Sequence, residues 1–296
     1  MQKHQLIIVL TLILAFPVPR LCLADEPATH PVRAERFGLE VQIPADWPVV
    51  VREKEDRAFV ALIPRDDPDR PAVVACELAI APESLEDYRT RINGNAARDP
   101  LGRRKLTRNE IVKNPQGERL ETVWEYQPPV GPSWLERTVR LIHNRQMYAF
   151  ILNADEKTFS VTEPRFNTLV DTAAFTPPNT GSKRIDEPKN RWLQSEFRFA
   201  LNLPSDWQPL LAPSEVALFY AAGPPHGIWS DNALVIARPV KALDVHDLAK
   251  TVPDTLKQIE PGCEVLRCEV VKQGDRDALE TVVRTQRGPF SMTVIE

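Results

Sequence analysis

Glycine is scarce in this chain, 11 of 296 residues, and it forms neither a phosphate-cradling loop nor a dinucleotide fingerprint. The sequence also has no Cys-x-x-Cys, no His-Glu-x-x-His and no Gly-x-Ser-x-Gly elbow. Its histidines after the N-terminal run are His30, His143, His226 and His246, and no two stand at a metal-ligand spacing. These absences predict no catalytic residue, no metal site and no cofactor. Of the four cysteines, Cys76, Cys263 and Cys268 lie beyond the N-terminal run, an odd count that leaves at least one thiol unpaired. Cys263 and Cys268 are five apart, so an extended segment would point them to opposite faces, beyond disulfide reach. Basic charge is lacking too: 37 Lys plus Arg against 41 Asp plus Glu. That argues against nucleic acid as a partner, because counterion release needs a basic surface. Proline, by contrast, is abundant at 28 residues, which favours punctuated strands and stiff loops.

The chain opens with Lys3, an apolar run from Leu6 to Val18, and Cys22-Leu23-Ala24 before Asp25. This reads as a signal peptide over residues 1–24 and places the protein in the periplasm or outside the cell. The run is short for a membrane span. Arg20 lies between it and the cut, so a membrane association follows only if the segment stays uncleaved. Pro19-Arg20-Leu21 before Cys22 lacks the small residue expected of a lipoprotein. Cleavage would remove two cations, Lys3 and Arg20, and move the net charge from −4 to −6.

What organises the rest is a repeat. Phe37-Gly38-Leu39-Glu40-Val41-Gln42-Ile43-Pro44-Ala45-Asp46-Trp47 returns 160 positions later as Phe197-Arg198-Phe199-Ala200-Leu201-Asn202-Leu203-Pro204-Ser205-Asp206-Trp207. Apolar residues alternate in both, which predicts a strand with one buried face, ended by proline and followed by a Trp that plugs a sheet edge. Ser84 and Asp244 cap helices whose apolar stripes, Leu85, Tyr88, Ile92, Ala96 and Val245, Leu248, Val252, Leu256, are again 160 apart. Pro253 predicts a kink or two short helices. Glu110-Ile111-Val112-Lys113 and Leu120-Glu121-Thr122-Val123 return as Glu269-Val270-Val271-Lys272 and Leu279-Glu280-Thr281-Val282, at an offset of 159. Thr162 is expected to start a closing helix, with Pro164 in its first turn. Nothing in the second copy matches His143 to Phe175. The expected layout is a tether at 25–35, a first domain at 36–176, a linker at 177–192 and a second, incomplete domain at 193–296.

The strand ending in Pro-x-Asp-Trp, the helix after the third strand, the Leu-Glu-Thr-Val hairpin, the Tyr148-Ala149-Phe150-Ile151 strand and the Phe-ending helix together resemble the PsbP/Mog1/DcrB-like superfamily. The first copy covers the whole pattern and the second about two-thirds of it. The resemblance implies an α+β fold in two tandem domains, each an antiparallel sheet flanked by helices, the second lacking the last strand and helix. It also implies roles in binding or assembly. It transfers no catalytic residue, and fold alone does not choose among such roles.

The functional reading is an exported, non-catalytic binding or assembly protein. Its partner is an unknown protein or a second copy, met through the strand edge and apolar face of the incomplete second domain. Candidate interaction residues are Trp134 and Trp229, each beside prolines in a stiff loop, with Phe290 and Val294 on the last strand. The competing reading for each Trp is that it folds back over its own sheet. The rival function is a hydrolase-type enzyme with a site in the inter-domain cleft, for which His143 beside a carboxylate and a Ser or Cys would speak. The aspartates of the loop 64–71 lack the glycine and bidentate glutamate of a calcium loop.

Overall fold

The computed structural model describes residues 28–52, 57–64, 72–97, 102–114, 117–128, 131–211, 217–236, 244–260, 262–287 and 290–295. The signal-peptide reading and most of the aspartate-bearing loop fall outside them. The chain divides into two compact units, Met1–Ile236 and Ala237–Glu296. The strands are mostly long and antiparallel and there are three helices, an α+β architecture. No helix among the described residues is long and apolar enough to cross a membrane.

The first unit opens with β1 (Thr29–Ala34), β2 (Leu39–Pro44), β3 (Val49–Val51), β4 (Arg57–Ile63) and β5 (Ala72–Ile80). Helix α1 (Leu85–Ala96) follows, capped by Ser84, whose hydroxyl accepts from the Asp87 amide at 3.1 Å. Next come β6 (Arg104–Asn114), β7 (Gly117–Tyr126), β8 (Trp134–His143), β9 (Gln146–Asp155), helix α2 (Glu156–Asp171) and β10 (Ala174–Phe175). Seven of these strands form one antiparallel sheet in the order β3-β4-β5-β9-β8-β7-β6. The last long strand in sequence is therefore an inner strand, pairing with β5 (Cys76 opposite Phe150) and β8 (Val139 opposite Phe150). Phe150, Leu152 and Ala154 point to one face and are fully buried. There they meet Phe59, Val74, Phe166, Leu169 and Val170, and the small sheet β1-β2-β10 lies over the same core. Helix α1 covers part of the opposite face, packing Leu85 and Ile92 against Leu120.

Three local expectations change. Phe37 belongs to a 3-10 turn (Glu35–Phe37) rather than to the strand, which starts at Leu39. The turn is held because the Tyr148 hydroxyl donates to the Phe37 carbonyl at 2.7 Å. It exits through Gly38 at φ +61°, where a Cβ would lie 2.1 Å from the Thr176 carbonyl oxygen. Helix α2 begins at Glu156, six residues before Thr162, so Pro164 is internal to it. The Asp155 carboxylate caps the Thr158 amide at 3.0 Å, and Phe159 extends the apolar stripe backward, which together favour the earlier start. Strands β11 (Ser182–Asp186) and β12 (Arg191–Gln194) pair antiparallel, so the stretch expected as a linker carries strand structure that continues past residue 192.

The first unit continues with β13 (Phe199–Asn202), β14 (Gln208–Pro209), β15 (Ala217–His226) and β16 (Trp229–Ile236), in sheets β11-β12-β13 and β14-β15-β16. Leu211 joins the core of the seven-stranded sheet, and the Gly227 amide donates to Glu83 at 2.7 Å, which ties this region to the first. The buried Asn190 side chain holds the Pro204–Trp207 turn, donating to the Pro204 carbonyl and, at 3.0 Å, to that of Trp207.

The second unit holds helix α3 (Val245–Ile259) and a sheet of β17 (Glu264–Gln273), β18 (Arg276–Arg287) and β19 (Phe290–Ile295). Helix α3 is one continuous helix with Pro253 inside it, which rules out the alternative of two short helices. Its cap is Asp244, which accepts from the His246 amide at 2.8 Å.

Several registers recur at the offsets read from the sequence. Trp47 and Trp207 each donate a backbone N–H to the proline three residues earlier at 3.0 Å. Val49 pairs with Ala61, and Pro209 with Ala221. The β6–β7 ladder shifts between Leu106 and Arg108 and closes at Asn114 opposite Gly117. The β17–β18 ladder shifts between Val265 and Arg267 and closes at Gln273 opposite Arg276.

The ion pairs recur with different surroundings. Glu121 on β7, 2% exposed at its side chain, contacts Arg137 at 2.9 Å, Arg119 at 2.7 Å and Arg108 at 3.3 Å. On β18 Glu280 meets Arg267 at 2.6 Å, with side chains 31% and 48% exposed. A buried carboxylate among arginines leaves uncompensated charge when it is removed, whereas an exposed pair is screened by water. Glu121→Gln is expected to cost roughly 3–5 kcal/mol in urea unfolding. Tryptophan fluorescence reads this, since all six Trp precede residue 237. Glu280→Gln, followed by circular dichroism, should cost under about 1 kcal/mol.

Burial pushes the Tyr148 phenol well above its ordinary range. A pKa raised on folding gives stability that is complete below the unfolded value, about 10, and is lost as pH rises toward the folded value. Unfolding free energy should therefore fall with pH above about 10. Tyr148→Phe should flatten that alkaline slope, at the cost of the hydrogen bond to Phe37.

Candidate functional site

The strand period sorts β7 into two faces. Glu121 and Val123 point toward α2; Leu120, Thr122, Trp124 and Tyr126 point the other way. Trp134 and Glu136 on β8, Asn153 on β9 and Arg104 on β6 share that second face. Two rungs of the ladder bring them together. Arg104 lies opposite Tyr126 and Tyr126 opposite Trp134; Trp124 lies opposite Glu136 and Glu136 opposite Asn153. Helix α1 reaches only as far as Leu106 and Trp124, which pack at the margin of its cluster.

Beyond that margin is a concavity of about 600 Å³. Trp124, Tyr126 and Trp134 supply its aromatic walls, with Pro128 from the following loop. Arg104, Glu136 and Asn153 supply its polar groups. The Arg104 guanidinium lies over the Trp124 ring, 5.0 Å from its centroid, and 3.7 Å from the Glu136 carboxylate. Both side chains of that pair are partly exposed, at 51% and 31%, so water screens them and they stay responsive to a ligand. The volume is that of a small-molecule site, with flat apolar surfaces for contact and a few polar groups to orient.

Of the four candidate interaction residues, Trp134 lines this cleft. Trp229 opens β16, its backbone paired with His226, and Phe290 and Val294 lie on β19 opposite Arg287 and Val283; their side chains are outside the described residues. Sequence reading passed over Trp124, Tyr126, Arg104, Glu136 and Asn153. The usable signal was two aromatics at i and i+2 on the strand face away from the core, with Trp134 directly across.

Elsewhere, titratable groups are shifted by burial or by pairing. Burial pushes the Cys76 thiol far up, with no other thiol bonded to it; Cys263 and Cys268 are also free. The Tyr220 phenol rises to about 12, chiefly by burial. Asp46 is held below the usual carboxylate range, first by its hydrogen bond to Arg165, whose guanidinium also covers Trp47 at 4.9 Å. His143 ends β8 with its ring 5.0 Å from Phe175. Among the described residues no three His, Cys, Asp or Glu side chains are grouped as a metal site requires.

No family model matches the chain, and no curated protein sequence matches it. Several solved structures do, each at low sequence identity. The solution structure of the cyanobacterial PsbP, CyanoP, from Synechocystis aligns at 14% identity and a TM-score of 0.37, over 54% of this chain and 100% of that one. PA94 from Pseudomonas aeruginosa, described as a putative regulator of unknown function, aligns at 16% identity and 0.36, over 50% and 98%. LpqN of Mycobacterium tuberculosis, described as involved in cell envelope biogenesis, aligns at 13% and 0.37, over 51% and 91%.

A substitution separates the cleft from the fold. Because Asn153 points away from the buried face of β9, Asn153→Ala should shift the unfolding free energy by no more than about 0.5 kcal/mol in urea denaturation.

Proposed function

We propose that the chain is an exported, non-catalytic binding or assembly protein built from two copies of one α+β unit, and that it engages its ligand through the aromatic cleft of the first copy. The cleft carries this reading. It gathers three aromatic side chains and three polar ones from four strands onto one surface. The sheet holds them rigidly, so little order is lost on binding. The two-copy reading is supported by the recurring registers: the same turn at Trp47 and Trp207, the same shifts at Arg108 and Arg267, and side-chain caps at the corresponding positions Ser84 and Asp244. Strand β19 pairs only with β18 among the described residues, whereas β8 has a partner on each side. That edge is where a protein partner or second copy would add a strand.

The address rests on residues 1–24. When the chain is expressed with them, the expected product is an envelope or extracellular protein whose intact mass begins at Asp25; a cytoplasmic product of full mass overturns the export reading. The binding reading is tested by retention from envelope extracts. Trp134→Ala should lose what the unaltered chain retains while keeping its unfolding midpoint; equal retention by both removes the cleft from the function.

A further inference from the structure

We propose that the aromatic cleft is a carbohydrate site, taking an uncharged oligosaccharide. This deepens the binding reading above and rests on it.

Charge decides the first step. Among the described residues the cleft holds one cation and one anion, Arg104 and Glu136, whose formal charges cancel. An anionic ligand would meet Glu136, and a cationic one would meet Arg104. The Trp124 ring already carries a guanidinium, which disfavours a second cation in the same aromatic surroundings. A neutral ligand avoids both penalties.

Hydrogen bonding decides the second. The three polar side chains are a guanidinium, a carboxylate and a carboxamide. Each is planar and presents two neighbouring polar atoms, suited to two neighbouring hydroxyls. Arg104 only donates, ionised Glu136 only accepts and Asn153 does both, so the ligand must donate and accept. Hydroxyls do so. A proline-rich peptide also suits aromatic walls, but its proline residues have no N–H. It would cover the Glu136 carboxylate without giving it a donor, which is costly.

Shape decides the third. Tyr126 and Trp134 supply aromatic surface from adjacent strands, beside a Trp124 ring already capped by Arg104, and a pyranose ring has a C–H face to lay on such surface with its hydroxyls at the rim. The volume of about 600 Å³ accommodates a short oligosaccharide.

The test uses the whole chain, titrated by calorimetry and tryptophan fluorescence with cellotetraose, chitotetraose and maltotetraose, and with a decamer of proline. The expected result is saturable binding of at least one sugar, with an affinity that hardly moves between low and high salt, since no net charge is neutralised. Trp134→Ala and Asn153→Ala should each weaken it by about tenfold or more. The Asn153 variant, expected to keep the unfolding midpoint, guards against a folding artefact. Three results overturn the proposal. One is no saturation by any sugar on folded protein. Another is sugar binding that both substitutions leave unchanged. The third is proline-decamer binding that needs Trp134 and outcompetes the sugars, which sinks the carbohydrate assignment and leaves the binding reading standing. Retention from envelope extracts that is indifferent to Trp134→Ala removes the cleft from the function and with it the carbohydrate assignment.

Discussion

The fold of the first unit depends on one strand being wanted on both sides. β9 pairs with β5 and β8, and its residues are buried on both faces over its first half, Gln146 to Phe150. Every other layer follows from that. Phe150, Leu152 and Ala154 form the floor on which α2 and the small β1-β2-β10 sheet rest. Tyr148 sends its hydroxyl to the Phe37 carbonyl and so fixes the turn before β2. Asn153, on the opposite face, becomes part of the cleft. One strand thus positions core, turn and binding surface together.

The same residue types do different work according to what covers them. Glu121 and Arg108 in the first unit have Glu280 and Arg267 as counterparts in the second, with the ion pair kept in both. Helix α2 covers the first pair: Glu163 and Asp171, both on α2, reach Arg137 and Arg119 at 2.8 and 2.7 Å. Glu121 and Arg137 are buried there, while Arg108, Glu163 and Asp171 at the margin stay partly exposed. In the second unit the pair stands in water. A motif that reads identically in the sequence is an internal structural element in one place and a surface decoration in the other.

The elements legible in the sequence were those with local causes. The caps at Ser84 and Asp244, the alternation of β2 and the closing pair of Asn114 and Gly117 each depend on a few neighbouring residues. The early start of α2 was hidden because Asp155 ends a strand and caps a helix at once, so the apolar pattern changes period without a break. Pro253 sits inside α3 where intrinsic preference predicts a break. The apolar stripe facing β17 and β18 outweighs that preference. The cleft was the least legible feature. Its members are spread from residue 104 to residue 153 and meet only across the sheet. Register, which no single segment encodes, creates it.

The place of β9 has a consequence for how the chain acquires its shape. β3, β4 and β5 can pair in turn as they emerge, and so can β6, β7, β8 and β9. The seam between the two groups is β5 against β9, which joins Ile80 to Gln146 at its near end and Val73 to Asn153 at its far end. Closing it spans a long loop, and such contacts form late because the chain entropy is lost before the pairing is gained. Until then the two most apolar edges of the protein stand open at once. α2, which shields the seam, is the very next segment of the chain. A nascent or translocating chain therefore carries its greatest tendency to stick to other chains in the interval between the appearance of β9 and the docking of α2.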